Sequence, residues 1–83
     1  MAYNNPTSGI GFNLLRGSVT INAGSTSVVV NLPTIIPSYS VFVTPTTPLS
    51  VLHWVSNKTS TSFTINIATA SASNITFDYL VIY

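Results

Sequence analysis

The stretch Ser62-Phe63-Thr64-Ile65-Asn66-Ile67 alternates polar and large apolar residues without a break. Successive side chains of an extended chain point to opposite faces, so Phe63, Ile65 and Ile67 share one face while Ser62, Thr64 and Asn66 share the other. A helix would not hold the three apolar residues on one side, and the segment therefore reads as a half-buried strand. Ser18-Val19-Thr20-Ile21-Asn22 repeats the pattern. Working outward from these two segments, the alternation predicts six strands, over about 16–23, 26–32, 39–45, 51–57, 61–68 and 75–83. Ala23-Gly24-Ser25 is short enough to close a hairpin between the first two, with Gly24 free to take a positive φ. Pro33, Pro37, Pro45 and Pro48 punctuate the middle of the chain and keep the third strand short. Helical periodicity is absent, so the fold class expected is all-β, a six-stranded antiparallel β-sandwich spanning residues 16–83.

Residues 1–15 differ in kind. Tyr3-Asn4-Asn5-Pro6-Thr7-Ser8-Gly9 is rich in turn formers, and Ile10, Phe12, Leu14 and Leu15 follow as apolar points on an otherwise irregular segment. The plain reading is a frayed terminus. The functional reading is an arm that attaches the domain to another protein or clasps a neighbouring subunit.

At 83 residues there is room for one core, and composition narrows what that domain does. Only Arg16, Lys58 and Asp78 are ionised, His53 is the single imidazole, and cysteine is absent. A net charge of +1 gives no cluster of basic residues, which argues against nucleic acid as a partner. No apolar run approaches the roughly 20 residues of a membrane-spanning helix, and no basic amphipathic segment offers membrane attachment. Disorder is equally ill-matched to a chain that is 46% hydrophobic. Thr, Ser and Asn supply 32 of the 83 residues, so neutral hydrogen-bonding groups take over the solvation that charges normally provide.

Several strands carry apolar residues on both faces. In the last, Ile75, Phe77, Tyr79, Val81 and Tyr83 point one way, and Leu80 and Ile82 the other. In the fourth, Val51, His53 and Val55 oppose Leu52 and Trp54, while Val29 and Phe42 add to the minority face in the second and third. A two-layer sandwich buries one face per sheet, so the surplus predicts a subunit interface built from Val29, Phe42, Leu52, Trp54, Leu80 and Ile82. A homo-oligomer is the expected state.

The inventory for catalysis is nearly empty. Paired-carboxylate chemistry needs two acids, and the chain supplies Asp78 alone. A Ser-His-Asp set is formally available through His53 and Asp78, but no nucleophile-elbow sequence accompanies it. Metal sites need three or four ligands that one chain does not offer, and no cofactor motif is visible. No catalytic, metal or cofactor residues are therefore assigned. Asp78 is a candidate for pairing with Arg16 or Lys58.

Four segments carry a resemblance that covers residues 17–83. Val41-Phe42-Val43-Thr44-Pro45-Thr46-Thr47, the run from Trp54 to Ile67, and Ile75-Thr76-Phe77-Asp78-Tyr79-Leu80-Val81 resemble the C-terminal tip domains of phage tail fibres and related virion proteins, and the opening hairpin from Gly17 to Val28 looks like the start of the same module. More distantly the pattern is similar to the H-type lectins. That resemblance implies a six-stranded sandwich assembled as a homotrimer, displayed on the virion surface or otherwise extracellular, with other virion proteins as partners and a cell-surface glycan as a further candidate. Those lectins contact sugar through a His and an aromatic after the strand that corresponds to Phe63. Here that turn is Ala68-Thr69-Ala70-Ser71-Ala72-Ser73, and Trp54 stands where a basic residue is expected. A carbohydrate site would therefore use another set, Trp54 with Asn57 or Tyr39. The functions expected are a trimeric virion component of a fibre, spike or turret, a carbohydrate-binding module, or a filament subunit that adds its arm to a neighbour's sheet.

Acid unfolding acts mostly by protonating carboxylates that the native state holds ionised. With a single Asp and no Glu, the chain is expected to keep nearly constant stability from about pH 2 to pH 9, apart from any step contributed by His53. Urea titrations across that interval check this, and a loss of several kcal/mol would contradict it.

Overall fold

The computed structural model describes residues 13–83. It contains six strands, β1 (Leu14–Ile21), β2 (Ser27–Asn31), β3 (Ser40–Pro45), β4 (His53–Ser56), β5 (Ser62–Ile67) and β6 (Ile75–Ile82). They form two antiparallel three-stranded sheets, one ordered β1-β6-β3 and the other β2-β5-β4. All six expected strands are present, with ends displaced by up to two residues. Among the described residues no helix is long and apolar enough to cross a membrane.

Two expectations are corrected. Leu14 and Leu15, read from sequence as part of the arm, belong to β1, where they sit opposite Ile82 and Val81. Asn13 and Tyr83 extend that ladder by exchanging both backbone hydrogen bonds, at 2.6 and 3.0 Å. Ile10 and Phe12 lie outside the described residues. Secondly, Ala23-Gly24-Ser25 does not close a hairpin, because β1 and β2 lie in different sheets. The turn itself forms, with Gly24 at φ 84° and the Ser25 amide donating to the Asn22 carbonyl at 3.0 Å. It is fastened to the β5–β6 connection, where the Gly24 amide donates to the Ser71 carbonyl at 2.9 Å and the Ala23 amide to Asn74 Oδ1 at 2.8 Å. Turn chemistry states that the chain reverses; it does not state which strand the reversed chain will pair with.

Among the described residues, only β4 and β5 are consecutive strands paired within one sheet. Their connection is opened by Asn57, at φ 51°, a left-handed conformation that Asn tolerates better than most residues. Thr59 then closes it, its hydroxyl accepting from the amides of Thr61 and Ser62 at 3.3 and 3.1 Å.

The core lies between the two central strands. Phe63, Ile65 and Ile67 of β5 alternate with half-buried Ser62, Thr64 and Asn66, as the period of two requires. Ile75, Phe77 and Val81 of β6 face them, joined by Ile21, Val30, Ile36 and Tyr39. Each such side chain contributes about 1.5–3 kcal/mol on burial. Aromatic contacts bridge the sheets, with Phe63 meeting Tyr79 edge to face at 5.6 Å between centroids and His53 meeting Phe77 at 5.4 Å.

Gly17 is opposite Tyr79 in the β1–β6 ladder, and the tyrosine fills the space a side chain would need. A Cβ placed on Gly17 would lie 2.7 Å from the Tyr79 hydroxyl and 2.9 Å from the ring carbon bearing it. Because that ring is held against Phe63, it has little freedom to withdraw. Gly17→Ala is expected to destabilise the protein by about 1–3 kcal/mol through overpacking, and Tyr79→Leu in the same chain should relieve part of the clash. Urea unfolding of the single and double variants measures both.

Candidate functional site

The outer faces of the sandwich are where an uncharged domain can meet a partner, and strand register places every residue on them. On the β1-β6-β3 sheet, Leu14, Ile82 and Ser40 form one row across the strands, and Arg16, Leu80 and Phe42 the next. Ser18, Asp78 and Thr44 form a third, and Thr20 and Thr76 begin a fourth. The face thus grades from apolar at one end to hydroxyl-covered at the other. Leu14 and Phe42 are 54% and 57% exposed, sizeable values for strand residues of this bulk; Leu80 and Ile82 are half-buried. Arg16, Ser18, Phe42, Thr44, Asp78 and Leu80 line a shallow groove of ≈ 570 Å³.

Within that groove the Ser18 hydroxyl donates to Asp78 Oδ1 at 2.7 Å, holding the carboxylate against β1. Arg16 sits one row away on the same face, within diagonal reach for a long side chain. At the polar end, the Thr20 and Thr76 hydroxyls meet at 3.0 Å. Sequence reasoning considered Arg16 and Asp78 only as a pair and missed the groove around them. Their shared parity with Leu80 and Ile82 in β6 was the available signal, since Asp78, Leu80 and Ile82 are two residues apart.

The β2-β5-β4 sheet presents a different outer face. Trp54 is opposite Asn66, and Val29 opposite Thr64. Asn66 Nδ2 donates to Ser56 Oγ at 2.8 Å, so a polar strip along β5 separates Trp54 from Val29. Trp54 is 47% exposed. Leu52, more exposed still, precedes β4, where its carbonyl accepts from the Ala68 amide at 2.9 Å. The six residues expected to form one interface are therefore divided. Phe42, Leu80 and Ile82 share one face and are joined by Leu14, whereas Val29 and Trp54 lie on the other as separate points.

The residues expected to bind sugar are likewise not brought together. Tyr39 is buried against Phe63, 6.4 Å between centroids, on the inner side of the sheet whose outer side bears Trp54. Its hydroxyl donates toward the carbonyls of Thr59 and Ser62, at 2.7 and 2.9 Å. Asn57 shapes the β4–β5 turn. Lys58, a possible partner for Asp78 by sequence, instead donates to the Tyr39 carbonyl at 2.6 Å and lies 5.0 Å from the centre of its ring.

His53 and Asp78 do not converge within one chain. His53 packs against Phe77 from the inward-facing side of β4 while itself remaining exposed, whereas the adjacent Asp78 points outward to Ser18. Among the described residues, no group of three His, Cys, Asp or Glu side chains is placed to hold a metal ion.

Burial pushes the Tyr39 hydroxyl above the ordinary tyrosine value. The folded state thus holds this proton more tightly than the unfolded chain, so its contribution is complete below about pH 10 and is lost as pH rises through the folded value. Tyr39→Phe is expected to cost about 1–2 kcal/mol at neutral pH through the hydrogen bonds lost to the two carbonyls. The variant should also lose less stability than the parent on going above about pH 10, which paired urea titrations would reveal.

Comparison with family models, curated proteins and solved structures finds no match to this chain.

Proposed function

We propose that this chain is a non-enzymatic structural protein of a virus particle, a β-sandwich that assembles with copies of itself as a trimer and is displayed on a fibre, spike or turret. The observation that carries the reading is the distribution of large apolar side chains on outer faces: Leu14 and Phe42 on one sheet, Val29 and Trp54 on the other. An isolated domain this small gains nothing from exposing them, whereas an assembling one covers them. The likeness of the β3, β4–β5 and β6 segments to tail-fibre tip domains supports the virion assignment. The sparse set of ionisable groups, with His53 in one sheet and Asp78 on the outer face of the other, supports a role in assembly and display rather than turnover.

A second reading is favoured by one observation. Trp54 stands exposed beside Asn66 and Ser56, and an aromatic platform flanked by hydrogen-bonding side chains suits the apolar face and hydroxyls of a sugar. On that reading the same trimer gains avidity from weak glycan sites.

Native mass measured at micromolar concentration should be a multiple of 8.8 kDa, and a single species at that mass would remove the assembly reading. Mass spectrometry of purified particles should find the chain as a stoichiometric component. Glycan-array signal that disappears in Trp54→Ala would establish the second reading; an array with no signal for the parent would dismiss it.

A further inference from the structure

We infer that the outer face of the β1-β6-β3 sheet is the surface through which copies of this chain assemble, with Arg16 of one subunit pairing with Asp78 of the partner subunit across it. This rests on the assembly reading above and specifies the face.

Two of the three ionised side chains in the sequence lie on this one face, in adjacent rows and with opposite sign. A surface that carries both charges beside a shared apolar patch is complementary to itself. When a second copy meets it, each Arg16 finds a carboxylate, and Phe42 and Leu80, which share the Arg16 row, exclude water from the pair. The match applies to two identical contacts about a twofold axis or to one per contact around a closed ring.

The charges also fix the register. Sliding one sheet by a row takes each Arg16 away from its carboxylate and sets like charges together, and a charge covered without its partner is costly. The groove between the two rows gives the incoming side chains space to enter. The opposite outer face lacks these features. In its paired rows no ionised side chain appears, and Thr64 and Asn66 stand between Val29 and Trp54. It has neither a continuous apolar patch nor a means of selecting register.

Charge reversal tests the assignment. Arg16, Phe42 and Asp78 are exposed in the single chain, so substitutions there leave the core intact. Sedimentation equilibrium should show that Arg16→Asp and Asp78→Arg each raise the assembly dissociation constant by about tenfold or more. The chain carrying both reversals should return to within about threefold of the parent. Phe42→Ser should shift the population toward the 8.8 kDa species. If the parent assembles while all of these variants assemble equally well, and Val29→Ser or Trp54→Ala disrupts it, the interface lies on the other face and this inference fails while assembly stands. Single reversals that weaken assembly without recovery in the double variant would overturn the pairing. A parent found only as single chains would instead overturn the assembly reading itself.

Discussion

The contact between Phe63 and Tyr79 is the point at which the two sheets are tied. Phe63 belongs to the central strand of one sheet and Tyr79 to the central strand of the other, and their rings meet edge to face at 5.6 Å. That arrangement requires Tyr79 to lean across its own sheet toward β1, which is possible because residue 17 has no side chain. Gly17 thus acts through the space it leaves to an aromatic ring rather than through backbone freedom. The inner faces of β1, β3, β2 and β4 then close around a core already defined by the two central strands.

Because the chain repeatedly changes sheet, nearly all pairing is distant in sequence. β1 pairs with β6, and β2 with β5, so loop-closure entropy must be overcome before most of the favourable contacts exist. Only the β4–β5 hairpin is local, and it holds the densest turn chemistry, with Asn57 in a left-handed conformation and the Thr59 hydroxyl accepting two amides. The other connections are fastened by contacts between loops. The turn at Gly24 is held to Ser71 and Asn74, and Lys58 secures the backbone at Tyr39. These bonds let a domain without cysteines fix the order in which its strands cross.

The scarcity of charge acquires a specific meaning in this setting. Thr, Ser and Asn cover the polar rows of both outer faces, hydrating them without a long-range field. Lys58 is engaged with Tyr39, and Arg16 and Asp78 share one face with Leu14, Phe42, Leu80 and Ile82. In a protein with many charges such a grouping would be unremarked background. Here it singles out one surface, because a self-complementary pair inside an apolar patch confers register as well as attraction.

By itself the sequence determined the strands and their faces. The period of two in Ser62–Ile67 and in β6 followed directly from the geometry of an extended chain, and so did the presence of apolar residues on the minority faces. Only the tertiary structure decided which strands were neighbours, because alternation records a side of a sheet and carries no label for a partner. Thus Ala23–Ser25 read as a hairpin but connects two sheets, Tyr39 read as a surface ligand but completes the core, and five of the six interface candidates separated onto two faces while Leu52 precedes β4. The groove between Arg16 and Asp78 was beyond sequence reading for the same reason: it exists only where the register of β1 and β3 against β6 sets distant residues side by side.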